Sequence, residues 1–179
     1  MAKSTWAIDP THSEIGFKVK HMMFTNVSGK FNTFTANIEN EDNQFETSTI
    51  HFEAEINSID TNNADRDNHL KSADFFDAEK FPKLSFKSSA VKKISESEFE
   101  IEGELTVKDV TKIITLATEY SGLMLESWGN TKAGLSIAGK INRKEFGLTW
   151  NAALETGGVL VGEEVKLFVE VQLLKQQIV

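Results

Sequence analysis

The chain has 179 residues, a length that fits one domain able to remove roughly 70% of its unfolded surface from water. Its 40% hydrophobic and 26% charged residues are ordinary for a soluble globular protein, and a net charge of −8 argues against nucleic acid or an anionic membrane surface as partner. There is no cysteine, which excludes disulfides, thiolate nucleophiles and zinc sites built on sulfur. Two departures from average stand out: 13 phenylalanines against a single tyrosine, and only 2 prolines. Phenylalanine brings apolar area with no polar group to satisfy, and proline removes ladder donors. Both suit long uninterrupted strands facing a dry interior.

The opening, Met1-Ala2-Lys3-Ser4-Thr5-Trp6, carries no apolar stretch of signal-peptide length, and no segment reaches the ~18 apolar residues of a membrane span. At face value the expected compartment is the cytoplasm, without stable membrane insertion. A chain trimmed of a leader for the periplasm would read the same. Period-two alternation then dominates. It starts weakly at Ile15, Phe17 and Val19, then at Phe34, Ala36 and Ile38, with a hairpin turn expected at Asn40-Glu41-Asp42-Asn43. It is clear at Ile50, Phe52, Ala54 and Ile56, whose neighbours Thr49, His51, Glu53 and Glu55 are polar.

Residues 61–76 interrupt the pattern with a polar, helix-compatible segment ending in Phe75-Phe76. Asp60 or Thr61 is expected to cap this helix, and Asp67 to pair with Lys71 at i,i+4. Between amphipathic strands, such a segment suits a lid closing one end of an apolar tunnel. Alternation resumes at Leu84 and Phe86, and again at Phe99, Ile101, Gly103, Leu105 and Val107. A tight loop is expected at Lys108-Asp109 before Ile114, Leu116, Thr118 and Tyr120. Gly122 and Trp128-Gly129-Asn130 read as breaks, Leu135, Ile137 and Ile141 as the next strand, and Gly157-Gly158 through Gly162 as a mobile loop. Val165, Leu167, Val169, Val171 and Leu173 end the chain, with Phe168 the one apolar residue on the wet face. One apolar and one wet face per strand indicates an antiparallel sheet. Without repeats or linkers, residues 1–179 form one all-β domain of about eight or nine strands. Sequential hairpins favour an up-and-down barrel over a sandwich.

The chemistry-bearing residues are few. His12, His21, His51 and His69 lack the spacing of a zinc motif, and Asp65, Asp67 and Asp74 lack the glycine of a calcium loop. Capping, surface charge and hydrogen bonding explain them better than a metal does. Arg66, Asp67 and His69 can be assembled into an acid–base site on paper, but nothing in the sequence makes them converge, and no nucleophile elbow or phosphate loop accompanies them. Neither catalytic residues nor a cofactor are assigned. The phenylalanines lead elsewhere. They either fill a core or line a cavity, and a barrel of about eight strands is wide enough inside for one small ligand. Lining candidates are Phe17, Val19, Met22, Phe24, Phe34, Phe52, Phe75, Phe76, Phe86, Leu105, Leu116 and Trp150, with Arg66 and His69 as head-group contacts. Two other readings remain open: an enzyme acting on the ligand at the barrel mouth, and a filled barrel serving as a protein-interaction module.

Several segments, in order, look like those of a known family. They are Trp6-Ala7-Ile8-Asp9-Pro10-Thr11-His12-Ser13, Val27-Ser28-Gly29-Lys30-Phe31, Thr61-Asn62-Asn63 with Arg66-Asp67-Asn68-His69-Leu70, and Asp74-Phe75-Phe76-Asp77. Phe81-Pro82, Gly103-Glu104-Leu105-Thr106, Val110-Thr111-Lys112, Ile141-Asn142-Arg143, Phe146-Gly147-Leu148 and Val161-Gly162-Glu163-Glu164-Val165 follow. The ordered series resembles the YceI-like family, also called polyisoprenoid-binding proteins. That resemblance implies an extended lipocalin-like barrel around a long isoprenoid, an isoprenoid quinone or a similar amphiphile, and a homodimer. It carries no catalytic residues. Many members are exported to the periplasm, whereas this chain shows no signal peptide.

Overall fold

The computed structural model describes residues 2–22, 24–126, 129–152 and 160–176. The strands are β1 (Lys3–Ile8), β2 (Glu14–His21), β3 (Thr25–Phe31), β4 (Phe34–Glu41), β5 (Gln44–Glu55), β6 (Ile59–Asp60), β7 (Lys83–Lys93), β8 (Glu98–Val107), β9 (Val110–Leu125), β10 (Thr131–Asn142) and β11 (Val161–Lys175). Among the described residues one α-helix, α1 (Ala64–Lys71), lies between β6 and β7. Every pairing is antiparallel.

The eleven strands make eight staves. β1 and β2 form one stave, broken at the turn Pro10–His12; β3 and β4 form another, broken at Asn32 and Thr33; β5 and β6 form a third, broken at Ile56–Ser58. The staves run up and down in chain order, and β11 closes the ring by pairing with β2 over Val161–Glu170 and with β1 over Leu173–Lys175. Closure removes the free sheet edges. The corner between β1 and β2 is built by Asp9. Its carboxylate accepts from the Thr11 backbone N–H at 3.1 Å and the Thr11 hydroxyl at 2.8 Å, and meets His12 Nδ1 at 2.8 Å. Ser13 Oγ then accepts the Gln172 N–H of β11 at 3.0 Å.

The β4–β5 turn expected near Asn40–Asn43 is two residues, Asp42 and Asn43, with φ of 52° and 60°. This left-handed pair matches the twist of the flanking strands. The expected Lys108-Asp109 loop joins β8 to β9, with Lys108 at φ 59°. Gly122 does not end a strand. It sits inside β9 at φ 80°, where the register with β10 shifts, and the unbroken strand is 16 residues long. At roughly 3.4 Å per residue and a tilt of about 40°, the longer strands give a barrel roughly 30–40 Å high. Trp128 and Gly157-Gly158 lie outside the described residues; Gly162 belongs to β11.

Inward side chains pack differently at the two ends. At the closed end Trp6, 2% exposed, donates its indole N–H to Asn40 Oδ1 at 3.1 Å, and Asn40 in turn donates to Ser48 Oγ at 3.3 Å. Phe45, Phe99 and Tyr120 form a plug, with ring centroids 4.9, 5.1 and 5.7 Å apart. Toward the other end, inward residues on the same staves, such as Phe17, Leu116, Ile137 and Leu167, are only half-buried.

The helical insert lies at that open end. Its cap is Asn63, not Asp60 or Thr61: Asn63 Oδ1 accepts from the Arg66 N–H at 2.9 Å. Asp67 does not pair with Lys71 among the described residues. It takes the backbone N–H of buried Thr61 at 2.9 Å, together with the Thr61 hydroxyl. A buried donor has more to lose from staying unpaired than an exposed lysine does.

Candidate functional site: the barrel cavity and its mouth

A cavity of about 690 Å3 occupies the open part of the barrel. Its volume lies within the range of small-molecule pockets. Every long stave contributes to its wall: Ile15, Phe17 and Val19 from β2, Phe52 from β5, Phe86 from β7, Leu105 from β8, Leu116 from β9, Ile137 and Ile141 from β10, and Val165, Leu167 and Val169 from β11. Its floor lies at Ile38, Ile50, Ile101, Leu135 and Val171; beyond them Trp6, Phe45, Phe99 and Tyr120 fill the barrel. The interior is therefore packed at one end and hollow at the other, unlike a filled barrel.

Most of the expected lining residues meet there. Phe17, Val19, Phe52, Phe75, Phe76, Phe86, Leu105, Leu116, Trp150, Arg66 and His69 all border the cavity. Three others do not. Phe34 is inward but buried, stacking on Phe52 with centroids 6.3 Å apart. Met22 and Phe24 lie at the β2–β3 turn, 46% and 88% exposed. Met22 adopts φ 52°, so the alternation that set Phe17 and Val19 inward ends at the turn.

The mouth is built from two segments outside the strand ladders. After α1 the chain folds back, with the Phe76 N–H donating to the Leu70 carbonyl at 3.0 Å and the Ala78 N–H to the Lys71 carbonyl at 2.9 Å. This turns Phe75 and Phe76 toward the cavity, Phe76 meeting Phe31 edge-on at 6.3 Å. The second segment, after the short turn Arg143–Phe146, brings Trp150 across. The Trp150 ring lies 4.6 Å from His69 and 5.4 Å from Phe75, and His69 lies 5.1 Å from Phe75. His69 Nε2 also meets Asp74 Oδ2 at 2.9 Å.

Arg143 fixes the second segment. It is 3% exposed, and its guanidinium donates to the carbonyls of Gly162 at 2.7 Å, Trp150 at 3.0 Å and Val161 at 3.2 Å, and to that of Leu148. Burial lowers the guanidinium below its ordinary value, and the nearby Glu163 carboxylate opposes that shift. Asn151 adds two bonds to the backbone of Val161. Across the mouth, Arg66 donates from Nε to Thr61 Oγ1 at 2.8 Å and from Nη2 to the Thr61 carbonyl at 2.6 Å. Arg66, Asp67 and His69 therefore do not converge as an acid–base site. The first two grip Thr61, and His69 pairs with Asp74. Among the described residues no group of three or more histidine and acidic side chains is arranged to hold a metal.

The sequence profile of the YceI-like domain matches residues 6–173. The chain belongs to the YceI-like family. A UPF0312 protein of Staphylococcus aureus strain USA300 is 37% identical to this YceI-like chain over 164 residues, covering 91% of it and 93% of the relative. The crystal structure of the Campylobacter jejuni YceI protein is 32% identical, with a TM-score of 0.76 and coverage of 94% and 96% of the two chains. Two more distant structures share the fold. BcnA of Burkholderia cenocepacia superimposes with a TM-score of 0.80 at 19% identity, covering 92% and 98% of the two chains. A polyisoprenoid-binding domain from Saccharophagus degradans does so with 0.68 at 11% identity, covering 94% and 97%.

Several segments that carry the family likeness are those that shape this barrel. Asp9 and His12 make the stave corner, Thr61 and Asp67 dock the insert, and Arg143 with Leu148 carries the mouth segment. Sequence reasoning missed Arg143 as a cavity residue. Its signal was an arginine directly after a strand and just before Phe146-Gly147, where Gly147 adopts φ 78°.

Proposed function

We propose that this YceI-like barrel binds a long-chain amphiphilic lipid, a polyisoprenoid or isoprenoid quinone, and stores or transports it. One observation carries the reading: a deep apolar cavity in the barrel, floored by aliphatic side chains above the aromatic plug and bordered at its mouth by His69, Phe75 and Trp150. Burying hydrocarbon there is worth about 0.8 kcal/mol per methylene, so ten methylenes contribute about 8 kcal/mol before the costs of association. Tight binding then needs no catalytic group, and the role is non-enzymatic. The distant structural relative described as a polyisoprenoid-binding domain supports the lipid class. By family likeness the protein works as a homodimer.

The test is organic extraction of the purified protein followed by mass spectrometry, with uptake of added polyprenyl quinone as a second arm. The expected result is a co-purifying long-chain lipid or saturable uptake. Repeated extraction with no lipid, together with no uptake, would sink the reading.

A further inference from the structure

The cavity wall is apolar along its length, and its charged residues are gathered at the mouth. Bordering it are three cations, Lys20, Arg66 and Arg143, against one carboxylate, Asp65, with His21 and His69 beside them. This excess sits in a protein whose net charge is −8. It is not the average surface showing through.

Lys20 and Arg143 share a neighbour, Gly162, and Arg66 faces them across the mouth. Lys20 Cβ lies 3.2 Å from where a Cβ on Gly162 would be, and the Gly162 carbonyl accepts from Arg143 Nε at 2.7 Å. Arg143 holds the Trp150 carbonyl at 3.0 Å, and the Trp150 ring contacts His69, one helical turn from Arg66. Arg143 is nearly fully buried, and among the described residues its hydrogen-bond partners are neutral carbonyls and no carboxylate pairs directly with it or with Arg66; the Glu163 carboxylate acts on Arg143 from farther off and is itself held by Lys144 at 2.9 Å. A buried charge whose counter-ion is distant and shared costs free energy that a bound anion offsets. Each guanidinium keeps donors in reserve. Arg66 uses Nε and Nη2 and leaves Nη1, and Arg143 makes four bonds from its five N–H groups. Planar guanidinium donors suit carboxylate and phosphate oxygens.

We propose that the mouth is a head-group site for an anion, so that the barrel selects amphiphiles ending in a carboxylate or a phosphate over neutral ones of the same chain. The proposal rests on lipid binding in the cavity and specifies which end of the lipid stays at the rim. The tail runs down to the floor at Ile50, Ile101 and Leu135, and the charged end stays between Arg66 and Arg143, with Lys20 at the outer rim.

The test is titration calorimetry with three probes that share one tail: geranylgeranyl phosphate, geranylgeranoic acid and geranylgeraniol. Both anions are expected to bind about tenfold or more tightly than the alcohol, the scale of one charge-assisted hydrogen bond, and the preference is expected to shrink with added salt. Lys20→Gln is expected to reduce the preference while leaving geranylgeraniol affinity unchanged, which also reports that the barrel is folded; Arg66→Gln, which also loosens the insert at Thr61, is expected to lower the ratio of anion to alcohol affinity. Equal binding of acid and alcohol overturns the proposal, as does a preference that survives both substitutions. Binding of the alcohol with rejection of both anions overturns it while leaving lipid binding intact. Rejection of all three overturns lipid binding and this proposal together.

Discussion

Tyr120 is the single tyrosine of the chain, and it serves the plug rather than the cavity. Burial holds its phenol above the ordinary value of 10.0, and the Glu46 carboxylate pushes the same way. The folded state therefore binds this proton more tightly than the unfolded state. The stability it contributes is fully present below about pH 10 and is lost as the pH rises through the higher folded value. Ultraviolet titration of the phenolate checks this directly, because no other tyrosine contributes. The folded midpoint is expected above that of the urea-unfolded chain, and a midpoint at or below it would contradict the packing of the plug. The same local view places three candidates that do not border the cavity. Met22 and Phe24 sit exposed at a turn, and Phe34 is inward but covered by Phe52.

The insert shows how an element without an apolar face is held. None of the eight residues of α1 is fully buried, and Leu70 alone packs against the core, so apolar contact by the helix itself is a minor part of what seats it. Asp67 and Arg66 seat it by gripping Thr61 where β6 ends. Asp67→Ala leaves the buried Thr61 N–H without a partner and is expected to cost about 1–3 kcal/mol. Because α1 is a peripheral unit, the loss is expected to appear first as faster amide exchange across residues 61–76, ahead of global unfolding. Uniform acceleration over the whole barrel would mean that the insert is not a separate unit. A lid was legible in this segment because polarity and Phe75-Phe76 broke the period of two. Its actual latch was not, since Asp67 reads equally well as a helix surface charge until Thr61 is placed beside it.

At the scale of the whole molecule the two halves of the barrel answer the same substitution in opposite ways. Ile137 faces the cavity and is half-buried, whereas Leu173 is packed among the residues at the closed end. Ile137→Phe has space to enter and is expected to change stability little, while lowering affinity for an added polyprenyl quinone at least about tenfold, or ~1.4 kcal/mol. Leu173→Phe has none and is expected to destabilise the fold by about 1–3 kcal/mol. Urea unfolding together with quinone uptake separates the two. If Ile137→Phe destabilises as much as Leu173→Phe, the interior is packed throughout. If it keeps full affinity, the quinone binds elsewhere.

Strand, turn and class were legible along the chain, because alternation such as Val165 to Leu173 and the turn residues Asp42-Asn43 act between near neighbours. The ordered motifs were legible for the same reason and led to the family. The staves broken at Pro10–His12, Asn32–Thr33 and Ile56–Ser58 were not, because continuity across a break is decided by a partner strand far away in sequence. Nor was the division of one apolar face into plug and cavity. Phe99 and Leu105 lie on the same face of β8, and nothing local separates them. Only closure of the ring does so, by setting Phe45 and Tyr120 against Phe99 while Leu105 is left facing empty space. Arg143 belongs to the same class. Its sequence reads as a surface cation after a strand, and its burial at the mouth follows from carbonyls five to nineteen residues away, which the tertiary fold alone brings together.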